Sequence, residues 1–318
     1  MKGSAIFSSL NSLLRDVCRV YFTLIKVMVP ALIIVKFLDE IGGTEWLGHV
    51  LAPLMQYVGL PGEMALVWAA AMVTNLYTGM VVFFDVSSGS NLTVAQVTVI
   101  GSMILVAHAL PVESAVSKMA GVRWRVTLPL RIIGSFILGI ITHLTYQWGD
   151  WKQKPAEMIW KPETSDTSLS AWALDQVGVL ITVFFVIAAL MIMLRAFRLL
   201  GVEKLMHWLL SPVLKLLTIG KEATNITIIG ITLGLSFGAG LLVEEARSGA
   251  ISRRDIFLSV CFLCLCHSLI EDTLLILLLG ADLAGILWGR LVFSLVVIAI
   301  LARLIKPSDM NPQLSANG

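Results

Sequence analysis

Two short segments of the sequence place ionisable and hydroxyl side chains inside otherwise apolar runs. The side chains are His108, Glu113 and Ser114 in the first segment and His267, Glu271, Asp272 and Thr273 in the second. Carboxylates and imidazoles can carry protons, bind cations and hydrogen-bond polar solutes. Because ionisable groups at membrane depth are costly, each is a candidate for a functional role. Pro111 frees a backbone carbonyl in the first segment, which suits an unwound binding site.

A structural role is the alternative for these side chains. A fixed polar network between helices, such as a contact between His108 and Asp272, or a helix start capped by Glu113, would need the same residue types. Two histidines at corresponding places in the chain favour the functional interpretation. Arg131 and Arg290 are expected to pair with the carboxylates or to extend to the membrane interface.

Two other apolar segments, residues 63–84 and 222–243, are interrupted by small and polar residues. The interruptions read T-N-L-Y-T-G at residues 74–79 and L-G-L-S-F-G at residues 233–238. Gly79 and Gly238 would permit tight turns, so each segment is predicted to be a helical hairpin. Asn75, Thr78 and Ser236 are predicted to line a solute site, with close helix packing as the alternative.

Five potential metal ligands share one face of a helix in the second half. They are Cys261, Cys264, His267, Glu271 and Asp272, spread over about 140° at 100° per residue. Thiolate and imidazole together suit a soft or borderline ion. The first half has Ser102 and Leu105 where the first two cysteines stand, and cysteine in an apolar helix usually behaves as a small hydrophobe. No metal ligand is therefore assigned.

The chain contains an ungapped internal repeat in which corresponding residues lie 159 positions apart. Matching pairs include Gly42 and Gly201, Pro53 and Pro212, Glu63 and Glu222, Gly79 and Gly238, His108 and His267, Glu113 and Asp272, Gly121 and Gly280, and Arg131 and Arg290. Several of these residue types are rare in membrane segments, so duplication explains the register better than chance does.

The composition indicates a membrane protein, since 57% of the 318 residues are apolar and only 14% are charged. A water-soluble enzyme, a disulfide scaffold and a nucleic-acid binder are excluded. Segments long enough to cross a bilayer are residues 17–38, 92–110, 128–148, 172–194, 256–279 and 283–302. Residues 46–58 and 204–218 are predicted to be amphipathic interfacial helices.

Basic residues predict the topology, because short cytoplasmic loops are enriched in Lys and Arg. Their distribution fits only if residues 63–84 enter and leave on one side, as a re-entrant hairpin. We therefore predict an all-α integral membrane protein with two inverted-topology repeats. Each repeat has an amphipathic helix, a re-entrant helical hairpin and three crossings, one of them a broken helix. The predicted units are a cytoplasmic segment 1–16, repeats 17–148 and 171–306, an external linker 149–170 and a cytoplasmic tail 307–318.

Each half of the sequence resembles the Gate, or nucleoside-recognition, repeat. The resemblance rests on an amphipathic helix with an internal proline, a glycine-tipped hairpin, a polar broken helix and a last membrane helix that begins with Arg131 or Arg290. Similar repeats occur in concentrative nucleoside transporters, the membrane domain of ferrous-iron transporters and spore-maturation membrane proteins. The resemblance implies two hairpins and two broken helices around one central site, in an oligomer. The hairpins lack the Gln-Thr-Glu type of cluster that binds nucleosides, and the chain has no GTPase domain.

Three functions are compatible with the sequence. The leading one is a secondary transporter of the inner membrane, with both termini cytoplasmic, that moves a small polar or nucleoside-like solute by alternating access. Glu113, Glu271 or Asp272 would carry the coupling H⁺ or Na⁺. The alternatives are a divalent metal ion transporter using Cys264, His267 and Glu271, and a non-transporting scaffold or sensor with a protein partner. No catalytic motif is present, so no enzyme activity and no cofactor are expected.

Overall fold

The computed structural model describes residues 2–87, 90–158, 169–217, 219–233 and 251–305. Within these ranges the regular secondary structure is helical, apart from one isolated antiparallel bridge between Thr93 and Pro155. Among the described residues, five helical segments are long and apolar enough to cross a membrane, and one of them, Val94–Met119, includes a helix break. The helices of the first half are α1 (Lys2–Glu40), α2 (Gly43–Gln56), α3 (Met64–Val73), α4 (Leu76–Val86), α5 (Val94–Val106), α6 (Leu110–Met119) and α7 (Trp124–Trp148).

The second half begins with the long helix α8 (Leu169–Leu199). It continues with α9 (Val202–Leu216), α10 (Lys221–Leu233), α11 (Arg253–Leu265), α12 (Glu271–Leu277), a π-helical segment (Ala284–Gly289) and α13 (Arg290–Leu304). The elements follow the predicted order, and α2 and α9 coincide with the two predicted amphipathic helices. Arg131 lies two turns inside α7 rather than at its start, which corrects the predicted position.

The first predicted hairpin consists of α3 and α4, which pack against each other. Its interruption is shorter than predicted, because only Thr74 and Asn75 lie between the two helices. Gly79 is therefore not in the turn but inside α4. A Cβ atom at Gly79 would lie 2.7 Å from the Cβ of Ala71. The glycine thus permits close approach of the two helices, the packing alternative that small residues allow. Ser236 and Gly238 of the second hairpin lie outside the described residues.

Two of the three apolar cores among the described residues lie around the helix breaks, and each contains side chains from both halves. The core around Phe83, Ile100 and Met103 includes Ile276 of α12. The core around Phe262 includes Leu138 of α7. The halves therefore interdigitate, and neither core is complete without the other half.

Gly101 lies at one of these contacts between the halves, where α5 packs against α12. A Cβ atom there would lie 2.4 Å from Cγ2 of Ile276, which is a branched atom close to the backbone and cannot swing away. We expect Gly101→Ala to destabilise the protein by about 1–3 kcal/mol, the usual cost of overpacking. Gly178→Ala is the matched control, since nothing lies within 4 Å of its Cβ position. Because alanine favours the helix more than glycine does, this control should leave thermal stability unchanged or raise it. Equal losses of stability in both variants would contradict the packing argument.

Helices α1 and α8 pack together at one side of the bundle. The hydroxyl of Tyr21 donates to the carbonyl oxygen of Leu180 at 3.1 Å, and Arg195 pairs with Asp16 at 3.1 Å. The outer faces of these helices expose large apolar side chains, including Phe37 and Phe185. Exposed apolar faces on long helices are expected of surfaces that contact lipid.

A polar network closes one end of the bundle beside the linker. Asp282 accepts a hydrogen bond from Tyr146 at 2.6 Å and pairs with Lys152 at 2.9 Å. Its backbone N–H donates to the hydroxyl of Thr98 at 2.8 Å. Partial burial acts to raise the pKa of Asp282, but the Tyr146 hydrogen bond and the Lys152 ammonium outweigh it and hold the pKa below its usual value.

The network at Asp282 should make stability depend on pH. A lowered folded-state pKa stabilises the protein above the unfolded pKa, about 3.9, and this stabilisation is lost as pH falls through the folded value. We expect Asp282→Asn to lower stability at pH 7 by about 1 kcal/mol or less, because Lys152 is half exposed. Thermal unfolding of wild type and variant should differ at pH 7 and converge below about pH 4. A difference that persists unchanged in acid would contradict this.

Candidate functional site

The first helix break places His108 between α5 and α6. Helix α5 ends at Val106, and Ala109 adopts a left-handed backbone with φ 49° before α6 begins at Leu110. Pro111 lies in the first turn of α6, where its missing N–H costs no hydrogen bond. The backbone N–H of Ala109 donates to the carbonyl oxygen of Ala71 at 2.9 Å, so α3 holds the break in place.

The second helix break places His267 between α11 and α12. Helix α11 ends at Leu265, and Ser268 adopts a left-handed backbone with φ 43°. The chain resumes as a helix at Glu271. The N–H of Leu269 donates to the carbonyl oxygen of Ile231 in α10 at 2.8 Å, so this break is also held by a neighbouring helix.

The two histidines meet in the protein interior. Their Nε2 atoms lie 3.2 Å apart, and the side chains are almost completely buried. Nδ1 of His108 lies 2.9 Å from the carbonyl oxygen of Ile104, and Nδ1 of His267 lies 2.8 Å from that of Leu263. Each imidazole is thus fixed by the carbonyl four residues earlier, at the end of its own helix.

Glu113 joins the histidines through one carboxylate oxygen and Arg131 through the other. Its Oε1 lies 3.4 Å from Nε2 of His108 and 3.2 Å from Nε2 of His267. Its Oε2 accepts from Nη1 of Arg131, which is fully buried. Nε of Arg131 donates to the carbonyl oxygen of Val106 at 2.8 Å. The predicted pairing of Arg131 with a site carboxylate is confirmed.

Arg290 behaves differently from Arg131. It is also fully buried, but its Nη2 donates to the carbonyl oxygen of His267 at 2.6 Å rather than to Asp272. Its Nε and Nη1 have no hydrogen-bond partner. The predicted pairing of Arg290 with a carboxylate is therefore wrong, and this guanidinium stabilises the second helix break instead.

Three buried polar atoms in the segments that follow the two histidines have no hydrogen-bond partner among the described residues. They are Oδ2 of Asp272, Oγ of Ser114 and Oγ1 of Thr273. Oδ2 of Asp272 lies 3.8 Å from Nε2 of His108 and 3.9 Å from that of His267. Buried polar atoms normally have hydrogen-bond partners, so unpaired ones need an explanation. A ligand that binds to them is one such explanation.

Glu271 connects the cluster to the first hairpin. Its Oε1 accepts a hydrogen bond from the hydroxyl of Tyr77 at 3.4 Å. Tyr77 belongs to the interrupting segment at residues 74–79, where its residue type and spacing indicate no role. Its contact with Glu271, 194 residues later, could not be inferred from local spacing.

Asn75 and Thr78 contact each other rather than the histidines. Oδ1 of Asn75 accepts from the backbone N–H of Thr78 at 2.9 Å and from its hydroxyl at 3.2 Å, so Asn75 caps α4. We expect Asn75→Ala to cost about 1 kcal/mol, measured by thermal unfolding, and Asn75→Asp to retain the cap. Equal losses in the two variants would show that capping is not the contribution of this side chain.

The cysteines lie beside the cluster but outside its ligand geometry. Sγ of Cys264 lies 3.4 Å from Oγ of Ser117. The metal-ligand group that the described residues form is instead His108, Glu113 and His267, whose ligand atoms all lie within 4.8 Å of one another. The metal alternative drawn from Cys264, His267 and Glu271 thus shares only His267 with the geometry found.

Comparison with known proteins confirms the predicted resemblance to the Gate family in the first half of the chain. Residues 21–123 match the family model for the Gate domain, described as nucleoside recognition. The uncharacterized membrane protein YvoD of Bacillus subtilis (strain 168) is 29% identical over 289 residues, which cover 90% of this chain and 91% of that protein. No solved structure matches the chain significantly.

Proposed function

We propose that this Gate-domain membrane protein is a secondary transporter that moves a small polar or nucleoside-like solute across the bacterial inner membrane. One observation carries the proposal. Two helix breaks, one from each half, bring His108 and His267 together in a buried polar cluster within a bundle of apolar helices. Transporters bind substrate where discontinuous helices of two repeats meet near the bilayer midplane.

Matching backbone conformations support two structural repeats, over residues 17–148 and 171–306. Left-handed residues recur 159 positions apart: Gly42 and Gly201, Ala109 and Ser268, and Gly121 and Gly280. We further propose that the repeats are inverted, that α3 and α4 form a re-entrant hairpin, and that both termini are cytoplasmic. Each repeat would then cross the bilayer three times, and alternating access would rock one repeat against the other.

Unpaired polar atoms support a binding role for Ser114, Asp272 and Thr273 together with the histidines. Asp272 and Glu271 are the better candidates for carrying a coupling H⁺ or Na⁺, because Glu113 already pairs with Arg131. Asn75 and Thr78 would act by holding the start of α4. The exposed indoles of Trp46 in α2 and Trp208 in α9 support these helices as contacts in a homo-oligomer.

The proposal is tested by thermal unfolding of the purified protein in detergent with nucleosides, nucleobases, small organic acids and amines, with and without Na⁺. A ligand at 100 times its dissociation constant stabilises the folded state by about 2.7 kcal/mol. We expect at least one of these compounds to stabilise the wild-type protein but not His267→Ala. His143→Ala is the control and should keep the stabilisation, because His143 lies twelve residues beyond Arg131 on α7, about 18 Å from it along the helix.

Uptake of that hit into proteoliposomes then distinguishes transport from sensing. Accumulation driven by a proton or sodium gradient supports the transporter. Binding without uptake in either direction would contradict it and favour a sensor or scaffold with a protein partner. Binding that survives in His267→Ala would contradict the placement of the site.

A further inference from the structure

Three hydrogen-bond acceptors converge between the two helix breaks. Nε2 of His108, Nε2 of His267 and Oε1 of Glu113 are separated by 3.2, 3.2 and 3.4 Å. A carbonyl oxygen cannot donate, so the Nδ1 atoms facing Ile104 and Leu263 carry the ring protons. Nε2 of each neutral ring is then left with its lone pair. Glu113, ion-paired to Arg131, offers only lone pairs as well.

We propose that His108, His267 and Glu113 bind a divalent first-row transition-metal ion, with Zn²⁺ the best fit. Zinc binds imidazole nitrogen and carboxylate oxygen at about 2.0–2.2 Å in tetrahedral sites, so neighbouring ligand atoms lie about 3.3 Å apart. The three separations in the structure match that edge. The inference concerns occupancy of the cluster and holds whether or not the protein transports a solute.

Asp272 is the candidate fourth ligand, although it lies outside the group of described residues whose ligand atoms are all within 4.8 Å of one another. Its Oδ2 is buried, has no hydrogen-bond partner and lies 3.8 and 3.9 Å from the two Nε2 atoms. To complete a tetrahedron, this oxygen would have to move toward both histidines and toward Glu113. An unpaired buried carboxylate oxygen that faces two imidazole lone pairs is costly without a cation between them.

The surrounding groups are those that orient metal ligands. Metal-bound histidines usually donate their second ring N–H to a carbonyl or carboxylate, as both histidines do here through Nδ1. Ligating carboxylates are themselves hydrogen-bonded, as Glu113 is by Arg131. The ligand orientation is therefore set by groups outside the ligand shell.

The charges of the cluster leave room for a cation. With neutral imidazoles, the two guanidiniums of Arg131 and Arg290 and the three carboxylates of Glu113, Glu271 and Asp272 sum to one net negative charge, which a divalent ion would change to one net positive charge. A single proton could restore neutrality, but it can lie between only two of the three converging atoms. A metal ion contacts all of them at once, which is why we favour it.

Titration with Co²⁺, a coloured substitute for Zn²⁺, tests the site directly. The protein is purified without a histidine tag, stripped with chelator and kept in detergent. We expect one equivalent of Co²⁺ to give the intense visible absorption of a four-coordinate ion, and Zn²⁺ to displace it. His108→Ala and His267→Ala should each weaken binding by more than about tenfold, a change that even loss of an orienting group causes. The matched control His143→Ala should bind as wild type does.

Two results would overturn the proposal. The first is the absence of stoichiometric Co²⁺ binding, or only the weak absorption of a six-coordinate ion, in the wild-type protein; a proton then occupies the cluster. The second is unchanged binding in both histidine variants. If these variants do not fold, Asp272→Asn is used to test the site instead. This change replaces a carboxylate whose Oδ2 has no hydrogen-bond partner among the described residues, so the variant is expected to fold. Unchanged affinity and spectrum in Asp272→Asn would exclude the four-ligand site.

Discussion

Replacing Arg131 by methionine should reduce the free energy of unfolding by about 3–5 kcal/mol, the largest single effect expected in this protein. The guanidinium is fully buried and is the direct ion-pair partner of Glu113. Its removal leaves a carboxylate in an apolar interior facing two imidazole lone pairs. It also removes the Nε hydrogen bond to the carbonyl oxygen of Val106, which holds the end of α5 at the first helix break.

A double-mutant cycle separates the pair from the two individual side chains. Glu113→Leu alone should also destabilise strongly, because it leaves the Arg131 charge buried and unpaired. The double variant Arg131→Met, Glu113→Leu should recover a large part of the loss, since replacing both partners of a buried ion pair by apolar groups is often nearly neutral. Unfolding in detergent, followed by helix content, gives the coupling free energy.

Arg303→Met is the matched control for the arginine replacement, because Arg303 lies exposed in the last turn of α13. It should change stability by less than about 0.5 kcal/mol. Strictly additive losses in the cycle would contradict direct coupling of Arg131 and Glu113. They would assign the effect of Arg131→Met to its hydrogen bond with Val106 instead.

Much of the helical framework could be predicted because hydrophobicity and helix-breaking residues are local signals. Long apolar runs gave α5, α7, α8 and α13, and the proline and polar residues near His108 indicated a broken helix. The role of Gly79 could not be obtained in this way, since glycine serves a tight turn and a close helix contact equally well. Only the position of Ala71 across the hairpin distinguishes these two uses.

The sequence singled out residues that meet at the two helix breaks, but it did not predict how they pair. Equivalent positions in the two halves singled out His108 and His267, and the structure brings them within 3.2 Å. The same equivalence predicted that Arg290 would pair with a carboxylate as Arg131 does, and this prediction was wrong. In the second half a carbonyl oxygen receives the guanidinium, which leaves Asp272 without that partner. Side-chain pairing depends on fractions of an ångström that sequence periodicity does not specify.

That asymmetry between the halves makes Asp272 the carboxylate best suited to act on a ligand. Glu113 has its charge neutralised by Arg131, whereas Oδ2 of Asp272 is buried with no hydrogen-bond donor. Burying such a group without a partner costs free energy, and a solute or cation that binds to it would offset that cost. Buried membrane carboxylates of this kind usually lie on substrate or ion pathways.

Asp272→Asn should therefore leave folding almost unchanged and weaken ligand binding by about tenfold or more, the value of one hydrogen bond to a charged group. Asparagine preserves the volume, and Oδ2 of Asp272 accepts no hydrogen bond from the described residues. Asp282→Asn provides the opposite case, because its carboxylate holds Tyr146 and Lys152 at the end of the bundle. It should lower stability while leaving ligand-induced stabilisation intact. Thermal unfolding with and without ligand measures both quantities in one experiment. If Asp272→Asn lost stability but kept its response to ligand, its carboxylate would belong to the fold rather than to the proposed ligand site.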